Sequence, residues 1–410
     1  MAGTADFFEV NKNKRPGLDR NIRIYLLTTL LINLGFGVFQ TDFNLYILSL
    51  GLSADFLGVV LSLTPFAQAI AAIPIGYMAE KIGYKRALLL VNLVVGAAYL
   101  LRVISPHPWL IMAASFLAGV MACGYFIIQL PFISHYAGNN REVAYSINSI
   151  VYYTSLSLGA MAGGFLPKLI APLAADESTT FRFILVACSL IILAGTIPLF
   201  FLDQDEPDKN RRISLSPYIS SIDANTIKFA AIEMFVGLSF AFLMFFMNLI
   251  YINHYQASLE SYGLMNACLI IPMIAMLMIG PRLSRRFKNI RVILSSRLLS
   301  AIFAFITGIT TNALLGGSAY ILFRSSLSLA QTLWFSFAVS VATRRSRMAT
   351  SAWLEITFQI GLGIAAILGG KLVGAGAYSY LSFISAGAML VAFILSLAFF
   401  AKADTQAETI

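Results

Sequence analysis

Charge is scarce in this sequence. Of 410 residues only 11% are Asp, Glu, Lys or Arg, while 59% are hydrophobic and mean hydropathy is +0.81. So few charges cannot coat a water-soluble surface, and so much apolar surface cannot be hidden in one core, so the remaining solvent must be lipid. Histidine and cysteine are rarer still, with three of each. His107, His135 and His254 lie far apart, which leaves no raw material for a metal centre or a hydrolase triad. Cys123, Cys188 and Cys268 fall within apolar runs as small hydrophobes, with neither disulfide pairing nor metal spacing. A Gly-x-x-x-x-Gly-Lys loop and a His-Glu-x-x-His element are also missing, so ATP-driven transport and membrane enzymes fall away. No cofactor and no metal are expected.

What the sequence has in abundance is apolar runs, each long enough for a bilayer core of roughly 30 Å that about 20 residues cross as a helix. They predict helices at 22–50, 54–79, 86–104, 108–132, 143–170 and 181–202, then 226–253, 259–281, 290–311, 314–340, 347–373 and 377–401. Between the sixes lies the longest hydrophilic stretch, carrying Asp205, Glu206, Asp208, Lys209, Arg211 and Arg212. The chain divides accordingly into an N-terminal bundle at 1–202, a linker at 203–225 and a C-terminal bundle at 226–410. The first run follows a basic head (Lys12, Lys14, Arg15, Arg20, Arg23) and lacks a small-residue cleavage site, so it reads as a retained helix.

A net charge of +9 and a pI near 9.4 would suit nucleic acid in a soluble protein. Here the bases sit in short clusters between apolar runs: Lys81, Lys85 and Arg86, then Arg282, Arg285, Arg286 and Lys288, then Arg344, Arg345 and Arg347. The alternate loops hold little beyond Lys168, Arg182 and Lys371. The positive-inside rule therefore puts both termini in the cytoplasm, and short loops point to a bacterial-type plasma membrane. The expected partners are the bilayer and a small solute, with no nucleic acid and the chain acting as a monomer.

The halves repeat. Phe43-Asn44-Leu45 corresponds to Met247-Asn248-Leu249, and Gly76 to Gly280, at one common offset; two residues further in register, Arg141 matches Arg347 and Gly163-Gly164 matches Gly369-Gly370. Two parallel six-helix bundles related by an axis along the membrane normal are one standard build of a secondary transporter, with the substrate held between them near the midplane.

Gly76-Tyr77-Met78-Ala79-Glu80-Lys81-Ile82-Gly83-Tyr84-Lys85-Arg86 resembles the signature loop of the major facilitator superfamily, with Glu80 where Asp is usual. The second-half loop, Gly280-Pro281-Arg282-Leu283-Ser284-Arg285-Arg286, keeps the glycine and bases without the acid. Gly76, Glu80, Gly83, Lys85 and Arg86 then form a gating loop, the glycine allowing close helix approach and the charges forming a latch on the cytoplasmic face. Gly159-Ala160-Met161-Ala162-Gly163-Gly164 resembles the Gly-Pro-x-x-Gly-Gly element of the family's antiporter branch, with Ala160 in place of Pro. The exporter Arg of helix four would fall at Ser115, four residues before Gly119.

Ionisable residues inside a bilayer mark function by default. Asp42, Arg324 and Glu355 are the candidates; Glu233, near a helix start, reads as interfacial. The resemblance implies that helices one, four, seven and ten line the cavity, so Asp42 and Arg324 would face each other across it, with a static Arg324–Glu355 pair or a hydroxyl-capped Asp42 as alternatives. Gln40, Asn44, Gln129, Asn248 and Gln331 extend the candidate lining, and abundant aromatics favour a lipophilic or amphipathic solute. The implied activity is proton-coupled efflux. Ala160 and Ser115 keep an uptake carrier or uniporter open, and a lipid flippase or a non-transporting scaffold on the same fold remains a further reading.

Overall fold

The computed structural model describes residues 18–204, 222–342 and 346–401; the expected linker residues 205–221 and the bases Arg344 and Arg345 lie outside the described residues. Among the described residues, twelve helices are long and apolar enough to cross a membrane. They are α1 (Arg20–Ser49), α2 (Ala54–Ile82), α3 (Tyr84–Ile104), α4 (Pro108–Ala137), α5 (Arg141–Ile170) and α6 (Glu177–Ala194, continued by a turn at Thr196–Leu199), then α7 (Ala224–Leu249), α8 (Leu259–Phe287), α9 (Asn289–Ile309), α10 (Ala313–Val341), α11 (Arg347–Gly374) and α12 (Tyr378–Phe400). α4 and α8 run on past their expected ends at 132 and 281 to Ala137 and Phe287, and Pro131 sits inside α4 without ending it.

Local chemistry starts these helices. Asp19, Ser53, Asp176, Asp223, Ser258 and Asn312 each accept a hydrogen bond from a backbone N–H in the first turn they precede, satisfying donors that a helix start leaves open. Between α2 and α3 the chain reverses at Gly83, whose φ of +87° is a conformation that side chains disfavour.

Every major helix pairing in the first half has its counterpart in the second. α1 packs on α5 and α6, α2 on α4, and α3 on α4 and α6; correspondingly α7 packs on α11 and α12, α8 on α10, and α9 on α10 and α12. The halves meet through α2 against α11 and α5 against α8, which exchange under the same relation. This is a twofold built into one chain, as the repeated residues imply.

α1 begins and α12 ends on one face, called the terminal face below. There Arg20 pairs with Asp203 at 3.3 Å, Lys228 lies over the Phe399 ring at 5.5 Å, and Thr226 bonds Thr350 at 2.9 Å. On the opposite, far face the two interbundle seams close on glycines. A Cβ built on Gly370 would stand 2.6 Å from the Ala54 carbonyl oxygen and 2.7 Å from Cα of Gly58; one on Gly164 would stand 2.8 Å from the Leu259 carbonyl oxygen and 3.0 Å from Cα of Gly263. Gly58 and Gly263 occupy the same place, the fifth residue of α2 and of α8. Lys168 and Glu260, 3.6 Å apart, add an ion pair beside the second seam.

Candidate functional site

Asn44 and Asn248 are partners under the internal repeat, and two such residues can touch only beside the symmetry axis. They do. Asn44 donates to the Asn248 side-chain oxygen at 2.9 Å and to the Phe245 carbonyl at 2.6 Å, while Asn248 donates to the Thr41 carbonyl at 2.9 Å. Three hydrogen bonds therefore clasp α1 to α7, and both side chains are buried.

Below the clasp lies a cavity of about 730 Å³. Asn44 caps it, and Tyr25, Thr28, Leu88 and Leu199 carry its wall toward the terminal face, so the cavity runs from the axial clasp to that face. Its size is that of a small-molecule site. The wall is largely aromatic: Phe36 packs on Tyr99 with ring centroids 5.0 Å apart and on Tyr125 at 6.0 Å, and Tyr152, Phe240 and Phe335 continue it. Gln40, Gln68, Gln129, Gln331 and Gln359 supply polar contacts.

Of the residues singled out in the sequence, Gln40, Asn44, Gln129, Arg324 and Gln331 line this cavity. Asp42 and Arg324 do not meet. Asp42 is fully buried outside the cavity wall, and neither of its carboxylate oxygens has a hydrogen-bond partner among the described residues, so it is not hydroxyl-capped either. Neighbouring side chains on a helix are about 100° apart, so Asp42, two residues from both Gln40 and Asn44, points away from the face those two present. Arg324 instead donates to the Tyr320 hydroxyl at 3.2 Å and lies over the Phe240 ring at 4.6 Å. It makes no ion pair with Glu355, which accepts from Gln359 at 2.8 Å and is not itself part of the cavity wall.

Three charged groups escape the sequence reading. Glu233 is not interfacial: it is completely buried and accepts from Gln331, the residue that separates it from the cavity. Beside this pair, Arg297 of α9 lies over the Trp334 ring at 4.0 Å and donates to Ser396, again fully buried. Arg102, two residues before the end of α3 and not singled out in the sequence, turns inward to bond the Thr64 hydroxyl at 2.8 Å and the Ser115 carbonyl at 3.3 Å. Its guanidinium thus lies against the backbone of α4 at Ser115.

The motif residues are equally concrete. The Lys85 ammonium bonds the Phe200 and Leu202 carbonyls at 2.8 Å and 2.5 Å, closing the C-terminal end of the α6 segment. Glu80 and Arg86 belong to the terminal-face ends of α2 and α3. Gly76 makes no tight approach, since an added Cβ would meet Ile127 at an ordinary 3.4 Å. Gly159 and Gly163 hold α5 against α1, an added Cβ on Gly159 lying 2.1 Å from the Leu34 carbonyl and one on Gly163 lying 2.9 Å from Thr41. Gly164 faces the other bundle in the seam described above.

Two symmetry-related bundles around a cavity closed at one end are the architecture of alternating-access membrane transporters. The model of the Major Facilitator Superfamily matches residues 25–352, and the chain belongs to that family. It is 28% identical over 188 residues to the class H tetracycline resistance protein of Pasteurella multocida, and 25% identical over 172 residues to the uncharacterized MFS-type transporter YfkF of Bacillus subtilis. These matches cover 45% and 39% of this chain, and only 45% and 41% of the respective relatives. A solved structure of the nucleoside transporter NupG superposes with a TM-score of 0.75 over 93% of this chain and 99% of that one, at 13% identity, a likeness of fold.

Proposed function

We propose that this protein is a secondary transporter that exports a small amphipathic solute in exchange for protons, with the terminal face cytoplasmic. The observation that carries the reading is the axial clasp above a cavity that runs to the terminal face: one side is shut by contacts the internal twofold generates, which is one end state of a rocking cycle. The bases Lys81, Lys85, Arg86 and Lys288 stand at helix ends of the terminal face, in keeping with the positive-inside rule.

Asp42 is the group assigned to proton coupling. Buried without a hydrogen-bond donor or a cation, its ionised form is costly. It sits between Thr41 and Asn44, both of which bond Asn248. Opening the far face would hydrate the carboxyl, so proton occupancy and conformation are linked.

Everted membrane vesicles with an acid lumen test both claims. A transported lipophilic dye should accumulate inside while the pH gradient partly collapses, and Asp42→Asn should keep dye binding but lose about ten-fold or more of the gradient-driven accumulation. Undiminished accumulation by Asp42→Asn would remove Asp42 from the mechanism, and accumulation only in right-side-out vesicles would reverse the direction.

A further inference from the structure

We infer that the transported solute is an organic anion: an apolar or aromatic body bearing a carboxylate, sulfonate or phosphate. The inference rests on the transporter reading above and concerns the chemistry of the same cavity.

Among the described residues lining the cavity there are two formal charges, Arg102 and Arg324, and both are positive; no Asp, Glu, Lys or His joins them. The carboxylates nearest in the fold are not part of the wall: Asp42 and Glu233 are buried outside it, and Glu355 accepts a hydrogen bond from Gln359 of the wall. Neither guanidinium has a carboxylate partner. Arg102 spends its bonds on the neutral Thr64 and Ser115 oxygens, and its Nε is buried with no acceptor among the described residues. Arg324 bonds a tyrosine hydroxyl at 3.2 Å and lies against a phenylalanine.

A charged side chain at membrane depth is expensive and is ordinarily paired. Two unpaired guanidiniums on one cavity leave an electrostatic deficit that a solute anion fills, and the planar fork of Arg suits the two oxygens of a carboxylate, sulfonate or phosphate. The rings beside them set the rest of the solute. Tyr99, its ring centroid 4.6 Å from the Arg102 guanidinium, packs against Phe36, and Phe240 lies as close to Arg324, so each cation borders an aromatic surface. Arg102 belongs to the first bundle and Arg324 to the second. An anion drawn between them contacts both halves, which is what a solute must do to bias their relative tilt. A cation would meet two like charges and no carboxylate.

The test is a charge series on fixed bodies. Naphthyl, biphenyl and octyl groups, each carrying a carboxylate, a sulfonate, a primary alcohol or an ammonium, are offered to the purified chain in detergent and to proteoliposomes. The anions should bind about ten-fold or more tightly than the alcohol or ammonium on the same body, and should be the members that move. Arg324→Gln and Arg102→Gln should remove that preference without weakening alcohol binding, and Arg102→Lys should restore part of it. The wild-type series alone decides the matter should a variant fail to fold. Transport of the alcohols or ammoniums in preference to the anions would overturn the anion assignment and leave the transporter reading standing, whereas no binding and no movement by any member would overturn both.

Discussion

Leucine at Gly164 and Gly370 is expected to abolish transport while leaving the chain folded. The two glycines sit in the two seams where the bundles meet at the far face, and in each an added Cβ would already stand under 3 Å from opposing backbone atoms. Backbone cannot give way as a flexible side chain can. Overpacking a tight contact costs about 1–3 kcal/mol per site, and here the cost falls on one conformation, because the seams pinch together only when the far face is shut. The interior of each bundle, with its own α1–α5 or α7–α11 contact, is untouched. Uptake into proteoliposomes should fall about ten-fold for either single substitution and below detection for the pair, with the melting temperature in detergent changing little. Transport at the parental rate would mean that the seams do not need to close.

Breaking the axial clasp should have the next largest effect. Asn44→Ala with Asn248→Ala removes three interbundle hydrogen bonds. At about 1 kcal/mol each, their loss moves the balance between far-closed and far-open states by about 100-fold. Gln40 lines the cavity below the clasp, so a cysteine there reports the change. In a background with Cys123, Cys188 and Cys268 replaced by serine, Gln40→Cys should react slowly with a membrane-impermeant maleimide added to the far side, and about ten-fold or more faster once both asparagines are gone. Equal rates would show that the asparagines line the cavity without holding it shut. The clasp exists only because the repeat puts the same residue on both sides of the axis, so either single substitution should produce part of the effect.

The fold was legible because bilayer helices announce themselves by length, and because Asn44 with Asn248 and Gly164 with Gly370 repeat in register. The paired positions then proved to be the contacts: the asparagines touch each other, and each glycine closes an equivalent seam. What the sequence hid was orientation. A membrane helix is apolar all round, so hydrophobic periodicity cannot report which side faces lipid, a neighbour or a cavity. Asp42 and Asn44 are two residues apart, yet one is turned away from the cavity and the other caps it. Distance from a helix end was a poor guide to depth for the same reason. Arg102, close to the end of α3, bends inward to Thr64, and Glu233, in the third turn of α7, is sealed by packing against Gln331. Lys85 matched a motif by spacing, but its bonds at the end of α6 depend on where another helix stops, which no local pattern records.

The claim on which the account stands is that two rigid bundles tilt about the cavity, so that one face opens as the other shuts. Spin labels on exposed, repeat-related positions of the far face, His107 and Thr311, and on the terminal face, Glu142 and Arg291, measure this directly by pulsed dipolar spectroscopy in nanodiscs. On changing pH or adding a transported solute, the far pair should lengthen as the terminal pair shortens. Distances that hold constant, or that rise and fall together, would contradict it.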